Sequence, residues 1–390
     1  MPKAANVSHT EAYTIYDHLF LKALRSVSRV FSVTQLTRPF WNRWRAGNPG
    51  EDVLFGFLDS IRNLDDWPQA AERMIQRETA AFANRRAGLD RDAEIAGLRR
   101  LSYMCNLAHW GIMPLTETKR SAYLKARDYY LQAERLAFGP RFHRLHLAWG
   151  GQRFPANLHL PETDAAPLII LVHGIDGCKE EHLATELVLL ESGLAVLGFD
   201  GPGQAEAFLI DGINWSERFP ELISAGIDAV AALTGQPDRK VGVMGMSIGA
   251  TWAYVAASRD PRIGALYDLG AAINSAAFQR VPFIIKTKVC QITGARTDGE
   301  IRQVLVQIKI DDPALLSRIG AAIRIVHGSR DRVVALSDKD WLAQELLRLG
   351  TAREVSTRVF DGADHCCTGE IPEVRRDMAA FFNRVLQIPA

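Results

Sequence analysis

The hydrophobic and polar positions divide this chain into two parts with different periodicities. Up to about residue 140, apolar residues recur at three- and four-residue spacing, as on one face of an amphipathic helix. These segments are also rich in Ala, Arg, Glu and Leu, which favour helix. The pattern predicts helices over 51–64, 66–88, 92–111 and 116–138. We therefore expect residues 1–140 to form a helical N-terminal domain.

After Gly139 and Pro140, short apolar runs alternate with helix-like segments. Such alternation implies right-handed crossovers and a mostly parallel sheet with helices on both faces. Upstream of the first long run, the pattern around Gly150 predicts an antiparallel hairpin. Residues 141–390 are thus expected to form an α/β catalytic domain, with 274–320 as an insertion. Strands are predicted at 168–174, 194–201, 240–247, 264–272 and 323–329, and helices at 180–192, 217–234, 248–258 and 338–349.

Composition narrows the classes of partner. The 390 residues are 47% hydrophobic and 23% charged, with a formal net charge of +1, so nothing favours nucleic acid or an anionic membrane as a partner. No apolar run approaches the roughly 20 residues that span a bilayer, and the first residues lack a signal-peptide pattern. The five cysteines are too scattered for a disulfide framework. We therefore expect a cytoplasmic enzyme with a small-molecule substrate.

A G-x-S-x-G sequence at 245–249 stands where a predicted strand ends and a predicted helix begins. A serine on such a sharp turn is held in strained backbone geometry, and side chains at the flanking glycines would clash with neighbouring elements. The turn would project the Ser247 hydroxyl into a cleft and aim the Ile248 N–H at a developing oxyanion. The motif also occurs as a structural turn, but its place between strand and helix favours a nucleophile.

An acid and a histidine follow Ser247 in the chain order that enzymes with this serine turn use. Asp331 follows a predicted strand, and His365 lies just after the predicted last strand. His365 would accept the serine proton and return it to the leaving group, while Asp331 would orient and stabilise the imidazole. Asp361 and Asp364 are rival acids, but both lie too near His365 in sequence. The expected catalytic triad is Ser247, Asp331 and His365.

Two glycine-containing loops complete the candidate site. The loop 173–177 follows the first long predicted strand, and the Ile175 N–H would supply a second oxyanion donor, although a tight turn would have the same pattern. Losing one such donor typically reduces the rate about 10²–10³-fold. The loop 199–206 is neither a dinucleotide fingerprint nor a P-loop, so we expect it to shape the cleft wall. His327 lacks metal-ligand spacing, and no cofactor or metal is expected.

Together these motifs resemble one branch of the α/β hydrolases, which includes 2,6-dihydroxypseudooxynicotine hydrolase, the fungal polyketide-shortening pigment hydrolases and FrsA-like esterases. The resemblance extends through the helical half, at AHWGIMP (108–114) and AYLKARDYYLQAE (122–134). It implies an α/β-hydrolase fold with a helical cap, often a homodimer, and no metal or organic cofactor. One departure is Ala205, where glycine is expected. The resemblance rests on HGIDG (173–177), FDGPGQAE (199–206), GMSIG (245–249), HGSRDRVV (327–334) and DGADHCC (361–367).

The resemblance leaves three functions open. Several members cleave a carbon–carbon bond next to a ketone, so the favoured hypothesis is a serine hydrolase acting on a β-diketone, aryl ketone or polyketide-type substrate through an acyl-enzyme. A carboxylesterase or thioesterase is an alternative because acyl transfer needs the same triad. A non-hydrolytic biosynthetic cyclase with His365 as its base is another. Aromatic residues of the cap are consistent with an aromatic substrate, although ordinary helix packing is the better explanation for any single one of them: Tyr103, Trp110, Tyr123, Tyr129 and Tyr130.

Overall fold

The N-terminal region of the computed structural model is helical. The structure describes residues 19, 22–23, 26–28, 30–47, 49–163, 165–305 and 309–386. The predicted helix over 51–64 ends early, at Asp59, because Asn63 accepts a hydrogen bond from the Asp65 N–H and begins a separate turn at Leu64–Asp66. The helices are α1 (Val33–Leu36), α2 (Trp41–Arg45), α3 (Glu51–Asp59), α4 (Trp67–Arg86), α5 (Arg91–Gly111) and α6 (Glu117–Phe138).

Side-chain caps set where the two long helices of this region begin. Asp90 accepts a hydrogen bond from the Ala93 N–H at 2.8 Å, and Thr116 accepts one from the Lys119 N–H at 3.2 Å. Each cap satisfies an amide that has no partner within its helix. The two helices pack against each other, and their buried faces join an aromatic core around Trp44. The N-terminal region thus has a hydrophobic core of its own.

Eight strands of the described chain form one sheet in the order β1-β2-β4-β3-β5-β6-β7-β8. The first two pairs in this order, β1 with β2 and β2 with β4, are antiparallel, and the remaining pairs are parallel. The fold class predicted from the sequence, a mostly parallel sheet with helices on both faces, is confirmed. The strands are β1 (Phe142–Trp149), β2 (Gln152–His159), β3 (Leu168–Val172), β4 (Ala195–Phe199), β5 (Val241–Met246), β6 (Ile263–Leu269), β7 (Ala322–Gly328) and β8 (Glu354–Phe360).

Alternate residues of the central strands face opposite layers of helices. In β3, Ile170 lies in one hydrophobic cluster and Ile169 in another, as the two-residue period of a strand requires. Helices α9 and α10 cover the first face, and α7 and α15 cover the second. The helices are α7 (Leu183–Glu191), α8 (Ala205–Leu209), α9 (Phe219–Thr234), α10 (Ile248–Ala257), α11 (Phe283–Thr293), α12 (Asp298–Leu305), α13 (Pro313–Leu316), α14 (Leu336–Leu349) and α15 (Ile371–Leu386).

The segment between β6 and β7 holds a 3₁₀ turn (Ser275–Arg280) followed by α11, α12 and α13. It contacts the N-terminal region, since the Gln291 side chain donates to the Met113 carbonyl at 2.9 Å. Among the described helices, none is long and apolar enough to cross a membrane. Because the parallel strands end at one edge, the loops after β3, β5, β7 and β8 meet there.

Candidate active site

Ser247 occupies the sharp turn between β5 and α10. Its backbone has φ 54° and ψ −126°, a combination that a residue with a side chain rarely adopts. The turn leaves no space for side chains at the flanking glycines. A Cβ at Gly249 would lie 2.1 Å from the Val172 carbonyl oxygen, and one at Gly245 would lie 2.2 Å from the Ala250 Cα. The two glycines thus let the chain turn closely enough to present the Ser247 hydroxyl.

The structure brings the three residues of the predicted triad into one hydrogen-bonded series. The Ser247 hydroxyl lies 3.0 Å from Nε2 of His365, and Nδ1 of His365 lies 2.7 Å from Oδ2 of Asp331. The other carboxylate oxygen of Asp331 accepts the N–H groups of Val333 and Val334 at 2.7 and 2.9 Å. With its carboxylate fully buried and both oxygens bonded, Asp331 holds one orientation of the imidazole.

The surroundings of the triad shift the pKa values of Asp331 and His365 in opposite directions. Burial raises the pKa of Asp331. The hydrogen bond and charge of His365, together with the two backbone N–H groups, lower it by more, so the net pKa of Asp331 lies below its usual value. For His365, burial lowers the pKa, whereas Cys366 and Asp331 raise it, and the net pKa lies well above 6.5. Asp331 is therefore ionised at neutral pH, and the His365 Nδ1 carries a proton.

The two other candidate acids have different partners. Asp361 accepts a hydrogen bond from the Ser329 hydroxyl at 2.9 Å. Asp364 accepts the Thr368 N–H at 2.8 Å and begins the 3₁₀ turn that contains His365. Neither carboxylate lies next to the imidazole nitrogens that contact Asp331 and Ser247. Asp361 thus lies in the loop directly after β8, and Asp364 caps the turn that contains His365.

Sequence reasoning missed two features beside the triad. Cys366 and Cys367 follow His365 with φ values of 60° and 49°, so both occupy the left-handed region that favours glycine and turn the chain sharply after the histidine. His327, which we expected to have no site role, is buried with Nδ1 3.7 Å from Oδ2 of Asp331. The only sign in the sequence that His327 lies beside the triad acid was its position four residues before Asp331.

Ile248 and Ile175 border one cavity together with Ser247. Ile248 is the first residue of α10, where helix amides point toward the cleft. The Ile175 loop approaches closely, since a Cβ at Gly174 would lie 3.6 Å from the Ser247 Cβ. Within the described chain, the amides of Ile248 and Ile175 donate no hydrogen bond to a backbone acceptor. This arrangement leaves both amides able to donate hydrogen bonds to a negatively charged oxygen in the cavity.

The loop 199–206 holds the Ile175 loop in place. The Gln204 side chain donates to the carbonyl oxygens of His173 and Gly174 at 3.1 Å each. The His173 Nε2 lies 3.0 Å from the buried Asp200 carboxylate, which also accepts the Lys179 N–H at 2.9 Å. The loop that we expected to form a wall of the cleft therefore holds, through Gln204, the backbone next to the Ile175 amide. At Ala205, φ is 20°, a positive value that glycine adopts without strain, so the backbone here would accommodate the glycine that the family resemblance led us to expect.

A buried ion cluster joins this loop to the N-terminal region. We call Lys179, Glu180, Asp200 and Glu206 the Lys179 cluster. The Lys179 ammonium lies 2.7 Å from Asp200, 2.7 Å from Glu206 and 2.9 Å from Glu180. From α6, the Tyr123 hydroxyl donates to Glu180 at 3.1 Å. Burial alone would raise the pKa of Glu206, but the charges of Lys179 and Arg144 lower that pKa to about 2.

The cavity beside Ser247 is small and apolar, with a volume of about 70 Å³. Its outer wall comes from the segment between β6 and β7, through Phe278, Val281 and Ile285. The aromatic residues of α5 and α6 lie elsewhere in the described structure. Tyr123 and Tyr130 are fully buried against acidic side chains, and the Trp110 N–H donates to Asp176 at 3.1 Å. Packing and hydrogen bonds within the described structure therefore account for Tyr123, Tyr130 and Trp110.

Comparisons with known proteins agree with this architecture. The chain is 26% identical over 350 residues to the 2,6-dihydropseudooxynicotine hydrolase of Paenarthrobacter nicotinovorans, which covers 89% of this chain and 91% of that protein. A crystal structure of a 2,6-dihydroxy-pseudo-oxynicotine hydrolase matches with a TM-score of 0.75 and 23% identity, over 89% of this chain and 95% of that one. AbyA5 matches with a TM-score of 0.70 and 18% identity, over 91% and 95%.

No family model matches the chain. The solved structures show the shared fold, and the sequence relative, which is a named hydrolase, extends over nearly the whole length. The similarity therefore includes the helical N-terminal region as well as the sheet. The chain is a hydrolase with the α/β-hydrolase fold, and it is similar over nearly its whole length to 2,6-dihydropseudooxynicotine hydrolase.

Proposed function

We propose that this hydrolase uses Ser247 as its nucleophile and cleaves a carbon–carbon bond next to a ketone through an acyl-enzyme. One observation carries the proposal: the hydrogen-bonded series from Ser247 through His365 to Asp331, at 3.0 and 2.7 Å. A serine hydroxyl has little nucleophilicity at neutral pH unless a base takes its proton. His365 is within hydrogen-bond distance to act as that base, and Asp331 fixes the tautomer that leaves Nε2 free to accept.

The proposed reaction has two halves that balance. In the first, Ser247 Oγ attacks the ketone carbon, its proton passes to His365 Nε2, and the amides of Ile248 and Ile175 stabilise the oxyanion. Collapse of the intermediate breaks the carbon–carbon bond. The electron pair leaves with the second fragment, whose carbon takes the proton from His365. In the second half, His365 deprotonates a water that attacks the acyl-enzyme, and Ser247 regains its proton. The products are a carboxylic acid and the protonated second fragment, which is a ketone when the substrate is a β-diketone.

The choice of a ketone substrate rests on the branch resemblance and on the cavity. The sequence relative is named for hydrolysis of 2,6-dihydropseudooxynicotine, and the wall of Phe278, Val281 and Ile285 suits an apolar acyl group. Sites for drug-sized ligands enclose about 300–1,000 Å³, whereas this cavity has about 70 Å³. An aryl ketone therefore requires the wall formed between β6 and β7 to move outward.

A matched pair of substrates tests the bond that is cleaved. Purified protein is given 1-phenylbutane-1,3-dione or ethyl benzoylacetate, and the products are identified by mass spectrometry. We expect the diketone to yield a carboxylic acid and a ketone, with a higher kcat/KM than ester cleavage. Intact-protein mass spectra during turnover should show the enzyme increased by the mass of the acyl group.

Two results would redirect the assignment. Ester cleavage without diketone cleavage would favour the carboxylesterase alternative, which needs the same residues. An absence of turnover with both compounds, together with no labelling of Ser247 by a fluorophosphonate, would contradict a nucleophilic mechanism and favour the non-hydrolytic cyclase.

The pH dependence of kcat/KM should follow His365. Its pKa is raised well above 6.5 by Cys366 and Asp331 against the opposing effect of burial. Only the neutral imidazole accepts the serine proton, so activity should be low at acidic pH and rise through this raised pKa. The rising limb is expected above the ordinary histidine pKa of about 6.5. A pH profile with the chosen substrate checks this, and a rising limb centred below pH 6 would contradict it.

A further inference from the structure

The short helix α2 of the N-terminal region lies against loops that carry the candidate catalytic groups. It contacts the 3₁₀ turn that begins with His365, and its Arg43 side chain extends to the loop after β3. The Arg43 Nη1 donates to Asp176 at 2.6 Å, while Nε and Nη2 donate to the two Glu181 carboxylate oxygens at 2.5 and 2.9 Å. One guanidinium of the N-terminal region therefore binds both ends of the segment 176–181.

The Ile175 amide, which we propose as the second oxyanion donor, lies between two anchors. Before it, the Gln204 side chain holds the two preceding carbonyl oxygens at 3.1 Å each. After it, the Asp176 carboxylate is held by Arg43 and by the Trp110 N–H, which lies 3.1 Å away. The first anchor comes from the loop after β4, and the second comes from the N-terminal region. Because a catalytic group must be held to within about 0.5 Å, both anchors contribute to the position of this amide.

Arg43 is itself fixed by its surroundings. Its backbone carbonyl accepts a hydrogen bond from the Tyr103 hydroxyl at 3.1 Å, and its guanidinium carbon lies 5.4 Å from the centre of the Trp110 ring. Burial lowers the pKa of Arg43, but the charges and hydrogen bonds of Asp176 and Glu181 raise it by more, so the net pKa lies above its usual value. The planar, permanently charged fork of arginine can bind two carboxylates in one fixed geometry, which a lysine cannot reproduce.

We infer that Arg43 is a positioning residue for catalysis, which acts through Asp176 to hold the Ile175 amide where the oxyanion develops. Arg43 borders neither of the two described cavities that Ile175 borders, so its effect passes through the loop and not through contact with the substrate. The N-terminal region thus contributes to transition-state stabilisation without supplying a catalytic group. This inference rests on the proposed function, because the Ile175 amide is an oxyanion donor only in that reaction.

Phenyl acetate and O-phenyl thioacetate, in which sulfur replaces the carbonyl oxygen, test the inference. Sulfur is a weak hydrogen-bond acceptor, so well-placed oxyanion donors favour the oxygen ester, and the ratio of the two kcat/KM values measures their placement. Any loss of folded protein cancels from this ratio. We expect Arg43→Met to lower kcat for phenyl acetate about 10–10²-fold with little change in KM, and to lower the oxygen-to-sulfur ratio about tenfold.

Two further variants isolate the path through Asp176. Asp176→Ala keeps the contact between Arg43 and Glu181 and should lower the oxygen-to-sulfur ratio at least as much. Adding Arg43→Met to it should lower the ratio little further, since both changes remove one contact. Arg45→Met is the matched control, because Arg45 lies on the same helix and pairs with the exposed Glu51 at 2.7 Å; it should keep the wild-type ratio. If Arg43→Met does not fold, an unchanged ratio in Asp176→Ala refutes the inference.

The outcomes separate the inference from the proposed function. A wild-type ratio in Arg43→Met, whatever its kcat, would mean that Arg43 only stabilises the fold; it would overturn the inference and leave the nucleophile assignment intact. If Ser247 is labelled by a fluorophosphonate but neither ester is turned over, protection from labelling by 2,2,2-trifluoroacetophenone, whose ketone forms a tetrahedral adduct with serine, decides the inference. About tenfold weaker protection in Arg43→Met supports it, and equal protection refutes it. An absence of both turnover and labelling in the wild type would overturn the proposed function and the inference together.

Discussion

Ser247→Ala should reduce kcat about 10⁴–10⁶-fold, to the level that binding and the oxyanion donors supply without a nucleophile. The fold should be unaffected, because the backbone geometry of the turn depends on Gly245 and Gly249, whose positions lack space for a Cβ. The substitution removes the one oxygen that lies 3.0 Å from His365 Nε2. Steady-state rates with the preferred substrate, and labelling by a fluorophosphonate mapped by mass spectrometry, measure the effect.

Ser258→Ala is the matched control. Ser258 follows the last residue of the same helix, α10, and its hydroxyl donates to the Val255 carbonyl at 2.8 Å, far from the cleft. This variant should retain labelling and turnover, while Ser247→Ala should lose both. Turnover of Ser247→Ala within about tenfold of the wild type, with the protein folded, would refute the nucleophile assignment and favour a mechanism in which His365 acts on water or substrate directly.

Lys179→Met should lower the free energy of unfolding by about 3–5 kcal/mol, the usual effect of removing one partner from a buried ion pair. Lys179 is 1% exposed and lies within 2.9 Å of three carboxylates, those of Glu180, Asp200 and Glu206. Methionine has a similar length but leaves these carboxylates buried without their cation. Because Asp200 also bonds His173 beside the Ile175 loop, we expect reduced activity in the variant as well.

Chemical denaturation followed by circular dichroism measures the change. Lys240→Met, which removes an exposed lysine before β5, is the matched control and should shift the free energy of unfolding by less than about 0.5 kcal/mol. A change for Lys179→Met as small as that of the control would mean that the Lys179 cluster contributes little to stability. In that case Arg127 and Arg144, which both form ion pairs with Glu206, would be sufficient to neutralise the Glu206 carboxylate.

Much of the architecture was predictable because strand and helix periods are local properties. The runs of β3 to β7 were located within one to three residues, and the alternation of strands with helices led to a parallel sheet. The order of Ser247, Asp331 and His365 indicated a common edge, since each follows a strand. The division at residues 140 and 141, the homodimer and the cytoplasmic location stay predictions.

The surroundings of the site were less predictable because their contacts join distant parts of the chain. The family resemblance implied a helical cap with aromatic residues suited to an aromatic substrate, but the wall of the cavity beside Ser247 comes from residues between 274 and 285 and from Leu305. The Lys179 cluster was missed because its charges are scattered through 179–206 and resemble solvated loop residues in sequence. His327 was likewise discounted, although it packs beside Asp331. Burial of a charge or a histidine depends on elements that meet only in the fold.

By itself, then, the sequence determined the α/β fold, the strained turn at Ser247 and the order of the three residues expected to act together. These depend on hydrophobic period, on glycines two residues either side of a serine, and on chain order, all of which can be read from neighbouring residues. Only the tertiary structure decided what lies around the serine and its neighbouring loop: an apolar cavity that Ser247 and Ile175 border, and a second cavity that Ile175 shares with His109 and Lys288. The physical reason is that packing brings together side chains that are far apart along the chain, and their hydrogen bonds and charges exist only once they are buried together.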